Sequence, residues 1–402
     1  MLISRPEYIN KLKSWRDTDL IKIVTGLRRS GKSTLFTLFI EDLKKDGISS
    51  KNILQLNLDD PANDFSSYKD LYNYIKDRIP QDQKTYVFLD EVQNVPEFER
   101  AVEGLYLDKN IDLYITGSNA FLLSSELATL FSGRYIEIKM LPLSFKEYST
   151  AFPDIAKDDL FLQYLRYGGL PATVDLLKDN KDIDLYFDGI FSTIVMKDIL
   201  SRSKNSNQNT LQEILEFIYD SVGSPVSANK ISNTLSSKGK ALLSNHTADH
   251  YIDLFMASYL IYKAERFDTK GKNILARDYK YYAVDTGLRN YLLGKKSDTD
   301  IGHLLENVVY LELYRRGYQV FVGKADKYEI DFVAKNRDGL EYYQVALSTW
   351  GEGVLNREVR PLSLAEDNYP KYLLTLDKDL GGDIDGIRKV NIIDWLLDES
   401  IN

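Results

Sequence analysis

Apolar residues follow two rhythms along the first 150 positions. Asp19 to Thr25 (DLIKIVT) is a short β-rich run entering the turn GLRRSGKST, after which Leu35, Leu38, Phe39 and Leu43 share one helical face. Asn52 to Leu58 predicts the next strand, and Lys69 to Ile79 a helix stopped by Pro80. Tyr86 to Leu89 and Asp112 to Thr116 are two more short apolar runs, ending at Asp90-Glu91 and Gly117-Ser118. Strands alternating with helices in this way predict a parallel α/β sheet covered on both faces.

From about 140 to 205 the pattern is helical, broken by the loop Gly168-Gly169-Leu170-Pro171. The polar run SRSKNSNQNT (201–210) predicts a linker. Residues 211–222, 228–236 and 245–257 then give three short helical patterns, followed by the strand-like runs YLIYKAERF and ILARDYKYYAV around a turn at 268–272. Three helices and a β-hairpin make a winged-helix pattern. A second break near 295–299 precedes a helix (302–316) and strands at about 319–323, 328–335 and 341–347. At roughly 150 residues per domain, 402 residues accommodate such a division.

Gly26-x4-Gly31-Lys32-Ser33 matches GxxxxGK[ST] in full, between a predicted strand and a predicted helix. Glycines at 26 and 31 let the backbone curl so that the N–H groups of residues such as Arg28, Arg29, Ser30 and Thr34 point at phosphate oxygens. Lys32 is long enough to reach the terminal phosphates, and the Ser33 hydroxyl is a hard ligand for Mg2+. Asp90, closing an apolar strand, is expected to complete the Mg2+ environment, with Glu91 polarising the attacking water. Ser118 or Asn119 would sense the γ-phosphate, or else simply cap a helix. Arg134 is the candidate arginine finger, from its own chain or a neighbour's; Arg28 and Arg29 are weaker candidates for that role.

Composition narrows the remaining chemistry. Cysteine is absent and only three His occur, which removes disulfides, thiolate zinc sites, Cys nucleophiles and a His-built metal centre. His246 and His250 are spaced i, i+4, but Thr247 stands where a zincin has Glu, so no zinc site is read there. The opening MLISRPEYINKLKSWRD has no apolar h-region, and no run approaches a membrane-spanning length. A cytoplasmic protein without membrane contact is expected. The net charge of −9 argues against a globally basic nucleic-acid coat.

GLRRSGKST, FLDEVQ, ITGSNA, FSGRY with LPLSFKEY, and YGGLPA, in this order, resemble one large prokaryotic group. These are the AAA-type ATPases with an appended C-terminal domain of unknown function. Similarity continues through Asp198-Ile199, YAVDTGLRN, GHLLENVVYLELYRRG, EIDFV, YYQVALS and DWLL, so it covers nearly the whole chain. The resemblance implies binding of ATP with Mg2+ and its hydrolysis. It also implies a P-loop NTPase core over 1–140, a helical lid over 141–205, a winged-helix domain over 206–296 and a restriction-endonuclease-like α/β domain over 297–402. Homo-oligomers are a candidate assembly.

The downstream segments raise DNA as a candidate partner. Residues 201–300 hold 14 Lys and Arg against 11 Asp and Glu, a net of +3 within a chain of −9. Lys263, Arg266, Lys270, Lys272, Arg277 and Lys280 lie on or beside the hairpin, and Lys238 and Lys240 precede the third helix; such a patch could contact phosphates. The third helix itself carries Asp249 and Asp253 and no Lys or Arg, against direct base readout. A protein-contact role for the module is the alternative. In the last segment Glu306, Asp331 and the strand Gln344-Val345-Ala346 resemble a nuclease core. Gln344 replaces a carboxylate and Ala346 the lysine, with Lys335 or Lys324 the candidate substitutes; an inactive scaffold is expected.

Overall fold

A computed structural model describes residues 2–80, 83–118, 120, 131–200, 207–237, 243–294, 300–379 and 381–398. The chain forms two compact units, Met1–Met140 with Ala257–Tyr259, and Leu141–Met256 with Leu260–Asn402.

The first unit runs α1 (Pro6–Ser14), β1 (Ile21–Thr25), α2 (Lys32–Lys45), β2 (Ile53–Asn57), α3 (Tyr68–Lys76), β3 (Thr85–Asp90), α4 (Phe98–Tyr106), β4 (Ile111–Gly117) and β5 (Tyr135–Lys139). Its five strands are all parallel, in the order β2-β3-β4-β1-β5. Side chains alternate across the pleat, which sorts the apolar residues into two layers. Ile23, Leu89 and Ile115 pack with Leu71, Ile75 and Val102 of α3 and α4 on one face. Val24, Phe88 and Tyr114 pack with Phe36, Phe39 and Leu12 of α2 and α1 on the other. Phe88 stacks on Tyr114 at 4.7 Å, and Phe36 meets Phe88 edge-on at 5.1 Å. This is the expected P-loop α/β sheet. Strand β5 is the element the pattern did not predict: it is a five-residue edge strand, mostly half-buried, and its charged residues blur the apolar signal.

The second unit opens with α5 (Phe145–Ser149), α6 (Lys157–Tyr167), α7 (Pro171–Lys178) and α8 (Ile183–Thr193). Then follow α9 (Gln208–Asp220), α10 (Ala228–Ser237), α11 (Asn245–Ala257), the hairpin β6 (Ile261–Asp268) and β7 (Asn273–Ala283), and α12 (Thr286–Leu293). It closes with α13 (Ile301–Arg315), β8 (Gln319–Ala325), β9 (Tyr328–Lys335), β10 (Leu340–Ala346), α14 (Val354–Ser363), β11 (Lys371–Thr375), β12 (Gly382–Ile384), β13 (Ile387–Asn391) and α15 (Ile392–Leu396).

The eight-stranded sheet of this unit has the order β12-β13-β11-β10-β9-β8-β6-β7. The hairpin therefore belongs to the same sheet as the C-terminal strands, with β6 parallel to β8 from Glu265↔Phe321 to Asp268↔Lys324. That pairing covers the backbone edge that a free wing would expose. Strands on both sides of the boundary expected at 296/297 thus share one sheet. Residues 141–205, expected as a lid on the core, also belong to this unit. The buried Asp285 carboxylate accepts the N–H groups of Gly169 at 2.7 Å and Leu288 at 2.9 Å. Asn290 Nδ2 donates to the carbonyls of Leu165 and Arg166, so the end of α6 is locked onto α12.

Candidate nucleotide-binding site

Loop 26–31 leaves β1 at the carboxyl edge of the sheet and runs into α2. Gly26 has φ +146°, and a Cβ there would stand 2.2 Å from the Met140 carbonyl oxygen. Arg29 and Gly31 follow at φ +67° and +100°, so the loop turns back on itself before the helix begins. No acidic residue occupies the first turn of α2, which leaves its N–H groups and dipole free to meet an anion. Arg5, just before α1, braces the loop by donating from Nη1 to the Ser30 carbonyl at 3.3 Å. Lys32 is buried, and its ammonium donates to the carbonyls of Gly26 at 3.1 Å and Leu27 at 3.2 Å. Ser33 and Thr34 are exposed on the first turn of the helix.

Strand β4 lies between β1 and β3, so residues ending all three strands meet beside the loop. Thr116 Oγ1 donates to Asp90 Oδ1 at 2.5 Å and accepts the Glu91 N–H at 2.9 Å. Burial raises the Asp90 carboxyl above its ordinary value, while hydrogen bonds from Ser33 and Thr116 pull the other way. Glu91 turns out of the strand with φ +55° and places Oε1 3.6 Å from the Lys32 ammonium. Burial pushes Glu91 up as well, but Lys32, a hydrogen bond from Gln93, the charge of Arg28 and a hydrogen bond with Ser118 outweigh it. The Glu91 carboxyl ends below its ordinary value.

The structure thus brings together Gly26, Ser30, Gly31, Lys32, Ser33, Asp90, Glu91 and Ser118. Arg28 is half-buried, with its guanidinium 4.0 Å from Asp59, whereas Arg29 is exposed. Asn119 lies outside the described residues. Arg134 is not brought to the site. Tyr135 is in register with Ile21, at the start of β1, and the phosphate loop leaves the other end after Thr25. A strand of roughly 16 Å lies between them. Arg134 is exposed there, its guanidinium 5.6 Å from the centre of the Tyr106 ring. A finger role in its own chain is therefore excluded by parallel register. Sequence reasoning missed Gln93, whose only signal was its place two residues after the acidic pair.

An AAA domain family matches residues 18–149, and a domain of unknown function matches residues 158–299. An uncharacterized protein of Haemophilus influenzae is 41% identical over 404 residues, covering 98% of this chain and 99% of its own length. The chain belongs to the family of that Haemophilus protein. Its first domain is an AAA domain of P-loop type. An uncharacterized protein of Methanocaldococcus jannaschii is 28% identical over 332 residues, 78% of this chain and 71% of its own. Among solved structures, a Walker-type ATPase of Pyrococcus abyssi covers 72% of this chain and 95% of its own at 14% identity, with a TM-score of 0.48. AMPPCP-bound DnaA of Aquifex aeolicus covers 61% and 85% at 15% identity, with a TM-score of 0.31.

The second unit of this AAA protein holds a different carboxylate cluster. Glu306 on α13, Asp331 on β9 and Gln344 on β10 do converge: the Asp331 N–H donates to Gln344 Oε1 at 3.4 Å, and Asp331 Oδ2 accepts the Val345 N–H at 2.8 Å. Ala346 is part of the apolar core, and Lys324 and Lys335 are exposed. The lysine that enters the cluster is Lys280 from β7, buried with its ammonium 3.0 Å from Glu306 and 2.8 Å from Glu329. Tyr282, on the same face of β7, donates to Glu306 at 2.7 Å. Burial and the neighbouring Glu306 hold the Asp331 carboxyl above its ordinary value, with Lys280 opposing.

The expected basic patch on the hairpin is largely neutralised. Lys270 pairs with Asp326 at 2.8 Å, Lys272 with Asp367, Arg266 with Glu329 at 3.3 Å and Lys263 with Glu265 at 3.5 Å. Lys280 faces inward. Lys238, Lys240 and the Arg277 side chain lie outside the described residues. His246 and His250 stand exposed on α11. Among the described residues no helix is long and apolar enough to cross a membrane, and no group of three or more His, Cys, Asp or Glu is arranged to hold a metal ion.

Proposed function

We propose that this AAA protein binds ATP with Mg2+ at loop 26–34 and hydrolyses it, and that turnover drives rearrangement of its downstream modules. The donor set suits those ligands. Ser33 and Asp90 are hard oxygens within hydrogen-bond reach of each other, and the start of α2 offers backbone N–H groups uncontested by any acid. Mg2+, when bound, would neutralise phosphate charge between Ser33 and Asp90. Lys32 exchanges its two carbonyl partners for phosphate oxygens, Glu91 accepts the proton of the attacking water, and Ser118 contacts the γ-phosphate. Arg134 reaches a triphosphate only in another molecule, so its finger role requires a homo-oligomer.

The observation that carries this reading is Glu91. A buried carboxylate is held below its ordinary value beside the phosphate lysine, which favours the ionised form a general base needs. A protein that only transferred phosphate between nucleotides would have no use for it. Steady-state ATP turnover, with and without DNA, compared between wild type and Glu91→Gln, tests the proposal. Turnover that falls at least a hundredfold in the variant, with ATP binding retained, is expected. Turnover below about one per hour in every condition would instead favour a nucleotide-gated binding switch (one turnover per hour is a barrier of about 22 kcal/mol). The DNA and nuclease readings are weakened by the paired hairpin cations and by Lys280 inside the carboxylate cluster. Stimulation by DNA, or plasmid nicking lost in Asp331→Ala, would restore them.

A further inference from the structure

Glu91 stands in a left-handed conformation that non-glycine residues seldom adopt, so its surroundings must hold it there. Its N–H is held by Thr116, a bond that fixes the backbone and not the carboxylate. The carboxylate faces Lys32 and Ser118 and is held as well by Gln93. The short helical turn Val92–Asn94 swings Gln93 back against Glu91, and Nε2 donates to Glu91 Oε2 at 2.5 Å. The same amide nitrogen lies 3.4 Å from the Ser118 hydroxyl. An amide carries two N–H groups, so one side chain can serve both neighbours. Its orientation is dictated, because the carbonyl oxygen turned toward the carboxylate would set two acceptors face to face.

That orientation leaves Gln93 Oε1 buried and accepting no hydrogen bond from any described residue. A buried acceptor without a donor is uncommon in folded proteins, and here it accompanies an amide whose N–H groups are aimed at Glu91 and Ser118. Ser118 ends β4, the strand beside the phosphate loop, so the amide also joins the base to a group placed to meet the γ-phosphate.

We propose that Gln93 is a positioning residue for hydrolysis: together with Ser118 it fixes the Glu91 carboxylate in the orientation from which it takes the proton of the attacking water. The inference rests on the ATPase reading above. Gln93 hydrogen-bonds the base and Ser118, so its loss is expected in turnover and not in nucleotide capture.

The test uses the full-length chain as wild type, Gln93→Leu and Gln93→Glu. For each, ATP affinity, kcat, KM and the melting temperature are measured. Leu removes donor and acceptor. Glu preserves length and acceptor but loses the donor and sets a like charge against Glu91. Both variants are expected to lose kcat by about tenfold to a hundredfold, with KM and ATP affinity within about threefold of wild type. A residue that merely stabilised the turn would lower the melting temperature and leave kcat of the folded variant intact. Kcat within twofold of wild type in either folded variant, or KM and ATP affinity weakened in step with kcat, overturns the proposal. A wild type without turnover removes both this inference and the reading beneath it; a turning-over wild type with undiminished variants removes this one alone.

Discussion

Lys32 in the first unit and Lys280 in the second both face carboxylates, and their partners make them opposites. Lys32 lies 3.6 Å from Glu91 and donates to two neutral carbonyls, which a phosphate can replace. Lys280 sits 3.0 Å from Glu306 and 2.8 Å from Glu329, with Asp331 close enough to add its charge. A cation shared among carboxylates is already satisfied. The first helical turn beginning at Lys32 carries no acid, whereas Lys280 lies on a strand among three carboxylates. A lysine next to acids therefore signals an exchangeable site in one place and a resident counter-ion in the other.

The sharpest way to break this comparison is at the two acidic partners. Glu91→Gln is expected to lower kcat by about 10²- to 10⁴-fold while ATP affinity holds, whereas Glu306→Gln leaves ATP turnover within about twofold. Equal losses in both would dissolve the distinction. Next in size is Lys280→Met, which strands buried carboxylates and is expected to cost about 3 kcal/mol, read as a lower denaturation midpoint. An unchanged midpoint would show that the lysine is not the cluster's counter-ion. Gly26→Ala is expected to cost about 1–3 kcal/mol and to weaken ATP binding, since a Cβ would collide with Met140 O. Normal stability and affinity in that variant would contradict the loop geometry. The smallest effect concerns pH. The Glu91 carboxyl is held below its ordinary value, so its basic form persists as pH falls and is lost only when pH drops through that lowered value. Kcat of the wild type should stay flat from about pH 8 to about pH 5 on this account. A limb centred near neutrality would assign the base elsewhere.

The phosphate loop was legible because its chemistry is local. Gly26, Gly31, Lys32 and Ser33 sit within eight consecutive positions, and the apolar runs before and after them set a strand and a helix with unmistakable periods. Asp90 and Glu91 were legible for a similar reason, as acids closing an apolar strand. Arg134 misled because proximity in sequence to a motif says nothing of which end of a strand a residue occupies; parallel register with β1 put it at the far edge. Gln93 escaped notice since a glutamine after an acidic pair looks like any turn residue until its amide is seen against Glu91. Lys280 was read as a surface charge on a wing. Its alternation with Tyr282 on β7 was the available signal, but only the pairing of β6 with β8 shows that this face turns inward.

Periodicity and short motifs, which depend on neighbours a few residues apart, were enough to establish the parallel α/β core, the anion-binding turn and the acids of its partner strand. The positions of Arg134, Gln93, Lys280 and the hairpin strands depended on contacts between residues far apart in the chain. Strand order, register and the sharing of buried charge come from packing the whole molecule at once, and no local pattern encodes them.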